Sequence, residues 1–166
     1  MEIRDKLRLA LERVDADDLD VRVGRIEWMA PHVVDVGSIA GPADTLFLLE
    51  EARVCFIDGH FIAAFLLACA FIDQVIDDEL RDGGFRNSKS DVQKCRAEKL
   101  FDESLLDEIQ ALRQLRRGYV HRLTEGHVNR LHNRMRESKT HPRRIMEEDG
   151  KRAIICMYQF HRATIR

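Results

Sequence analysis

The sequence predicts an all-α fold, an antiparallel bundle of four to five helices with an irregular connector at its N-terminus. Apolar residues recur at helical spacing through most of residues 42–163, whereas patterns typical of strands are nearly absent. Only three prolines interrupt the chain, and 34% of its residues are charged, which suits helices with one solvent-facing side. We therefore expect an N-terminal helix and connector over 1–41 and a helical bundle domain over 42–166.

The N-terminal part begins with a one-sided apolar stripe over residues 2–14, which predicts a short helix. From residue 15 to residue 41 this spacing breaks. Val21 and Val23 alternate with polar neighbours, and glycine and proline recur further on. The pattern predicts a connector with a short extended piece around 20–28.

The bundle is predicted from four longer helices and one shorter helix, over about 44–58, 60–81, 104–123, 142–163 and, for the shorter one, 91–100. The second is apolar nearly all round in its first half, which favours a central position in the bundle. Ser90-x-x-Gln93 has the form of a capping box that opens the shorter helix, and Pro142 suits the first turn of the last helix. Residues 124–142 are polar, basic and rich in histidine. They fit a loop, a short helix or a segment that a ligand orders.

Several protein classes are excluded by composition. The longest apolar run, Phe61–Ile72, is 12 residues long, well short of the roughly 20 that span a bilayer. The first residues are too charged for a signal peptide. The four cysteines are scattered without a Cys-x-x-Cys pair, so neither a zinc site nor a disulfide framework is indicated. We expect a cytoplasmic protein that needs no membrane, no metal and no cofactor.

The charge is strongly polarised along the chain. Residues 1–110 carry 13 Lys and Arg against 24 Asp and Glu, a balance of −11, and residues 111–166 carry 14 against 5, a balance of +9. Such polarity favours a phosphate-binding face in the C-terminal part. Alternatively, the acidic and basic helices neutralise each other within the fold.

The segment Leu115-Arg-Arg-Gly-Tyr-Val-His121 is the part of the chain best suited to chemistry on a phosphate. Arginine offers a permanent, fork-shaped charge, and histidine offers a proton that moves near pH 7. On an ideal helix Arg116 and His121 lie about 140° apart, whereas Arg117 and His121 share a face. Either the helix is distorted, for which Gly118 is a candidate, or Arg117 is the working cation.

Three segments of the sequence resemble the HEPN superfamily, and within it the DUF4145-like HEPN domains. Residues 50–73 are similar to that family's pair of helices joined at a glycine, in which a second helix rich in small residues ends at an acidic position, here Asp73. Residues 112–121 are similar to the family's Arg-x4–6-His signature. Residues 147–154 resemble the closing helix of these bundles.

The resemblance implies a bundle that often dimerises and brings two Arg/His motifs into one cleft. Many HEPN proteins are metal-independent endoribonucleases in toxin or antiviral defence systems. By this resemblance Arg116 would hold the phosphoryl oxygens, His121 would act as acid or base, and Asp73 would orient Arg116 unless it forms only a structural salt bridge. Other members are inactive dimerisation or binding modules. Arg117, which replaces the usual Asn or Asp after the motif arginine, is compatible with that alternative.

The expected partners are RNA, a second copy of the chain, and an unidentified antitoxin or defence-complex partner. Tyr119 is a candidate for stacking on a base, although its spacing from Leu112 and Leu115 also fits the core. Basic residues of the C-terminal part are candidates for contact with the RNA backbone, namely Arg130, Arg134, Arg136, Arg143 and Arg144. The ordinary alternative is a solvated basic segment.

Overall fold

The structure, a computed structural model, describes residues 3–33, 43–80 and 88–164. These ranges form seven helices and contain no strand, which confirms the predicted all-α bundle. The helices are α1 (Ile3–Met29), α2 (Ala43–Ile57), α3 (Phe61–Glu79), α4 (Ser88–Ala97), α5 (Glu103–Val120), α6 (Leu131–Ser138) and α7 (Pro142–Thr164).

Helix α3 lies at the centre of the bundle, where it packs against α2, α5 and α7. Ala64 and Ala68 are fully buried, and small side chains of this kind let neighbouring helices approach closely. Phe65, Phe71 and Ile72 of the same helix are also buried and fill the space between the neighbours. The all-round apolar character of α3 in the sequence is therefore explained by burial on several sides.

Helix α1 corrects the prediction for the N-terminal part. The expected extended piece around 20–28 is helical, because α1 continues without a break from Ile3 to Met29. No proline interrupts these residues, and Gly24 alone costs a helix only about 1 kcal/mol. Val21 and Val23 are both exposed, so their alternation with polar residues does not reflect a half-buried strand. The rest of the predicted connector, 34–41, lies outside the described residues.

The C-terminal end of α1 holds that helix on the bundle. Trp28 packs against Phe56 with a distance of 5.0 Å between ring centroids, and Met29 is buried beside them. The guanidinium of Arg25 donates a hydrogen bond of 2.7 Å to the carbonyl of Ile57. These contacts join α1 to α2 near the turn that leads into α3.

The segment between α5 and α7 differs in two ways from the sequence prediction. Helix α5 ends at Val120, three residues before the expected end. Of the alternatives for 124–142, the structure shows a turn-rich segment followed by the short helix α6. The amide of Asn133 donates to the carbonyls of Glu125 and His127, which fixes the turns before α6.

Gly118 allows this segment to lie directly on α5. A Cβ atom at Gly118 would stand 2.1 Å from the carbonyl oxygen of Asn129, a distance that no side chain tolerates. The side-chain amide of Asn129 donates in turn to the carbonyl of Gln114. Gly118 therefore allows the backbone of Asn129 to approach α5 closely, and the helix ends shortly after Gly118.

We predict that Gly118→Ala destabilises the protein by about 1–3 kcal/mol, because the Asn129 backbone must move away from α5. Denaturant unfolding measures this loss. Gly24→Ala is the matched control, because a Cβ at Gly24 meets nothing within 4 Å and an alanine raises helix stability there by up to about 1 kcal/mol. Equal effects of the two substitutions would contradict the close approach.

A second prediction concerns His161, which is buried against Phe71. Burial lowers the pKa of this imidazole below its ordinary value of 6.5, because the charged form loses its hydration. The unfolded chain thus binds the proton more readily, and the free energy of unfolding decreases as the pH falls below about 6.5. His161→Phe should remove part of this decrease in unfolding measured from pH 7 to pH 5. An unchanged pH profile in the variant would contradict it.

Candidate functional site

A cleft of about 750 Å³ lies between α4 and α5, within the size range of small-ligand sites. Val92 and Gln93 of α4 form one wall, and α5 forms the other. The polar residues that α5 and its C-terminal cap contribute are Asp107, Gln110, Arg113, Gln114, Arg116, Arg117 and His121. The cleft therefore combines three guanidinium groups with an imidazole.

His121 reaches the cleft because it no longer belongs to the helix. Its backbone is extended, with φ −123° and ψ 146°, and its N–H donates to the carbonyl of Arg117 as the cap of α5. The angle of about 140° expected on an ideal helix does not apply to a residue outside the helix. As a result Arg116, Arg117 and His121 all line the same cleft.

Asp73 of α3 restrains two of these arginines. Its Oδ1 accepts hydrogen bonds from Nε and Nη2 of Arg113 at 2.9 and 2.6 Å, and its Oδ2 accepts one from Nη1 of Arg116 at 2.7 Å. Asp73 thus contacts Arg116, as the sequence resemblance implies, and Arg113 joins the pair. Charge-assisted bonds of this kind fix the direction of a guanidinium plane.

Arg113 and the four glutamine or aspartate residues of the cleft, Gln93, Asp107, Gln110 and Gln114, were not among the predicted site residues. The signal for Arg113 is its spacing: Arg113 and Arg116 lie at i, i+3, so they project from the same side of α5. Both therefore reach the same carboxylate of α3, that of Asp73.

Arg117 and His121 are basic groups of the cleft whose side chains are unrestrained by the described part of the chain. Both are exposed, and neither side chain makes a hydrogen bond or ion pair with any residue in the described ranges. A free guanidinium and a free imidazole beside the restrained Arg116 can bind an oxyanion and exchange a proton with it.

A cysteine nucleophile does not fit this site. Cys69 lies on α3 near Arg116 and Asp73, but burial raises the pKa of its thiol to about 12. A thiol with such a pKa stays protonated near pH 7 and is a poor nucleophile.

Tyr119 and Arg134 belong to a second polar cluster, inside the bundle. The carboxylate of Asp149 is buried, accepts a hydrogen bond of 2.5 Å from the Tyr119 hydroxyl and binds both Nη atoms of Arg134 at 2.6 and 2.7 Å. The Tyr119 ring packs against Phe65, and burial followed by the Asp149 hydrogen bond raises the pKa of its hydroxyl. Neither residue lines the cleft, and the function proposed below does not involve them.

The remaining basic candidates lie around α6 and the start of α7 rather than along the cleft. Arg136 and Arg144 are exposed, and Arg130 is half-buried at the beginning of α6. Arg143 lies over the ring of Phe61, with 5.4 Å from its guanidinium carbon to the ring centroid. None of these side chains lines the cleft that His121 enters.

Comparison with known proteins finds no matching family model, no matching curated protein and no matching solved structure. Within the described ranges, no helix is long and apolar enough to cross a membrane, and no three His, Cys, Asp or Glu side chains cluster in a way that could hold a metal ion. The HEPN assignment therefore stays a prediction from the motif residues.

We predict that Asp149→Asn destabilises the protein by about 3 kcal/mol or more, because it leaves the partly buried Arg134 charge without its carboxylate. Glu108→Gln is the control: it breaks the Arg152–Glu108 pair, which is more exposed and should contribute less than about 1 kcal/mol. Chemical denaturation of both variants measures the difference. Small and equal losses would mean that the Asp149 cluster does not stabilise the bundle.

Proposed function

We propose that this protein is a HEPN-type, metal-independent endoribonuclease, toxin-like or defence-related, that cleaves RNA at the cleft between α4 and α5. The observation that supports the proposal most is the meeting of Arg116, Arg117 and His121 along one cleft. These residues supply the charge and the mobile proton that phosphodiester cleavage requires.

The proposed reaction uses the 2′-hydroxyl of RNA as nucleophile. His121 removes the proton of this hydroxyl, and the bond between the 2′-oxygen and phosphorus forms as the bond from phosphorus to the 5′-oxygen breaks. The products are a 2′,3′-cyclic phosphate and a 5′-hydroxyl end. The leaving 5′-oxygen takes up a proton, which in a homodimer would come from the second copy's histidine.

The two arginines have different parts in this proposal. Asp73 holds Arg116 in one orientation, so Arg116 is suited to stabilise charge that develops on the phosphoryl oxygens. Arg117 is exposed and unrestrained, so it is suited to capture the phosphate as RNA arrives. Both candidate cations, Arg116 and Arg117, therefore have a role in the proposed reaction.

A non-enzymatic binding module is the second candidate function. It is favoured by the contact between Asp73 and Arg116, because a guanidinium already paired with a carboxylate has less charge to offer a transition state. In that case the cleft would bind RNA or an acidic partner and leave it intact.

We predict that the purified protein cleaves total RNA in the presence of EDTA and that His121→Ala lowers the rate by at least about 100-fold, the usual size of a general acid–base contribution. Arg116→Ala and Arg117→Ala should also lower it. His132→Ala is the matched control, since His132 is exposed on α6 and does not line the cleft. The cleaved ends should carry cyclic phosphates.

Three results would decide against the enzyme. They are intact RNA after treatment with the folded protein, cleavage that survives in His121→Ala, and an equal loss of activity in His132→Ala. RNA that binds without being cut, and that binds more weakly to Arg117→Ala, would support the binding module instead.

A further inference from the structure

The N-terminal two thirds of α1 extend beyond the bundle. Every described side chain from Ile3 to Val21 is exposed, and the described contacts between α1 and the bundle begin at Arg22, which pairs with Asp58. We call residues 3–20 the arm. At 1.5 Å per residue it is about 27 Å long.

The arm carries an apolar stripe that nothing in the described part of the chain covers. Ile3, Leu7, Leu11 and Val14 lie on one side of the helix, with exposed fractions of 79, 60, 64 and 55%. The same side of α1, further along, contacts the bundle through Trp28 and Met29. The surface that α1 buries against α2 therefore continues into solvent along the arm.

The charges of the arm are divided between its two ends. Residues 3–14 carry four Lys or Arg and two acidic residues, whereas residues 15–20 carry four aspartates and no basic residue. Two such arms in parallel would place like charges side by side, which is unfavourable. Two arms in antiparallel orientation place the basic end of each beside the acidic end of the other.

We propose that the arm pairs, antiparallel, with the arm of a second copy of this chain. The stripes of the two copies would face each other and bury the exposed aliphatic side chains. A twofold axis near Leu11 and Glu12 would place Arg8 across from Asp15 of the partner subunit. The same surface of the arm then forms the interface on both subunits, as twofold symmetry requires.

Other occupants fit the arm less well. An anionic membrane surface would attract the basic end but repel the four aspartates that follow it. A heterologous partner would have to mirror the same division of charge. A second copy of the chain would cover the apolar stripe and complement the charges of the arm with its own residues.

The test measures the mass of the full chain and of full-chain variants whose arms carry complementary charges. Sedimentation equilibrium should give twice the chain mass of 19.3 kDa for the unaltered protein. An acidic-arm variant, Arg4→Glu with Lys6→Glu and Arg8→Glu, and a basic-arm variant, Asp15→Lys with Asp18→Lys and Asp20→Lys, should each be monomers. An equimolar mixture of the two variants should again form a dimer, and it should do so as a heterodimer.

The apolar stripe is tested by Leu7→Asp with Leu11→Asp, which should return the mass to 19.3 kDa. Leu9→Asp is the control, because Leu9 is 44% exposed but lies on the opposite side of the helix. Circular dichroism checks that each variant keeps its helices.

Three masses would overturn the proposal: a monomeric unaltered chain, charge variants that each stay dimeric, or a mixture of the variants that does not dimerise. Binding of the arm to anionic vesicles in place of self-association would also overturn it. The masses are measured without RNA, so the result does not depend on whether the cleft is a nuclease site.

Discussion

Burial of α3 requires that the carboxylate of Asp73 be compensated. This helix is apolar on nearly all sides, and Asp73 lies where α3 meets α5. An acidic group with reduced access to water needs a partner, and Arg113 and Arg116 supply it from neighbouring turns of α5. The same ion pairs that permit close packing of the two helices also fix the cation at the edge of the cleft, so packing and site geometry have a common origin.

The buried carboxylate of Asp149 adds further contacts to α5. Asp149 of α7 binds Tyr119 of α5 and Arg134 of α6, and so ties three helices together. Since Gly118 also brings the Asn129 backbone onto α5, the segment after α5 has a defined path. His121 begins that segment, and its position in the cleft is a consequence of the helix ending where these contacts require.

The sequence was informative wherever its periodicity reflected burial. Helices α2, α3, α5 and α7 were predicted within a few residues, because each has an apolar side that the core covers. Prediction identified the start of α1 from the apolar stripe over 2–14 but missed its continuation to Met29, because most described side chains over 15–24 face solvent and burial imposes no apolar spacing on them. It also missed Arg113, because a contact with Asp73, 40 positions away, depends on how α3 and α5 pack. The cleft between α4 and α5 could not be predicted from the sequence for the same reason, because it too depends on how helices pack.

We propose that Arg116, Arg117 and His121 act together on one phosphodiester. Binding of a 2′-deoxy oligonucleotide, which lacks the attacking hydroxyl and stays intact, tests this directly through the NMR signals of the histidine rings. We expect the His121 signals to shift on titration while those of His132 stay in place. Shifts confined to α6 and the start of α7, or no shift at His121 in a protein that binds the oligonucleotide, would contradict it.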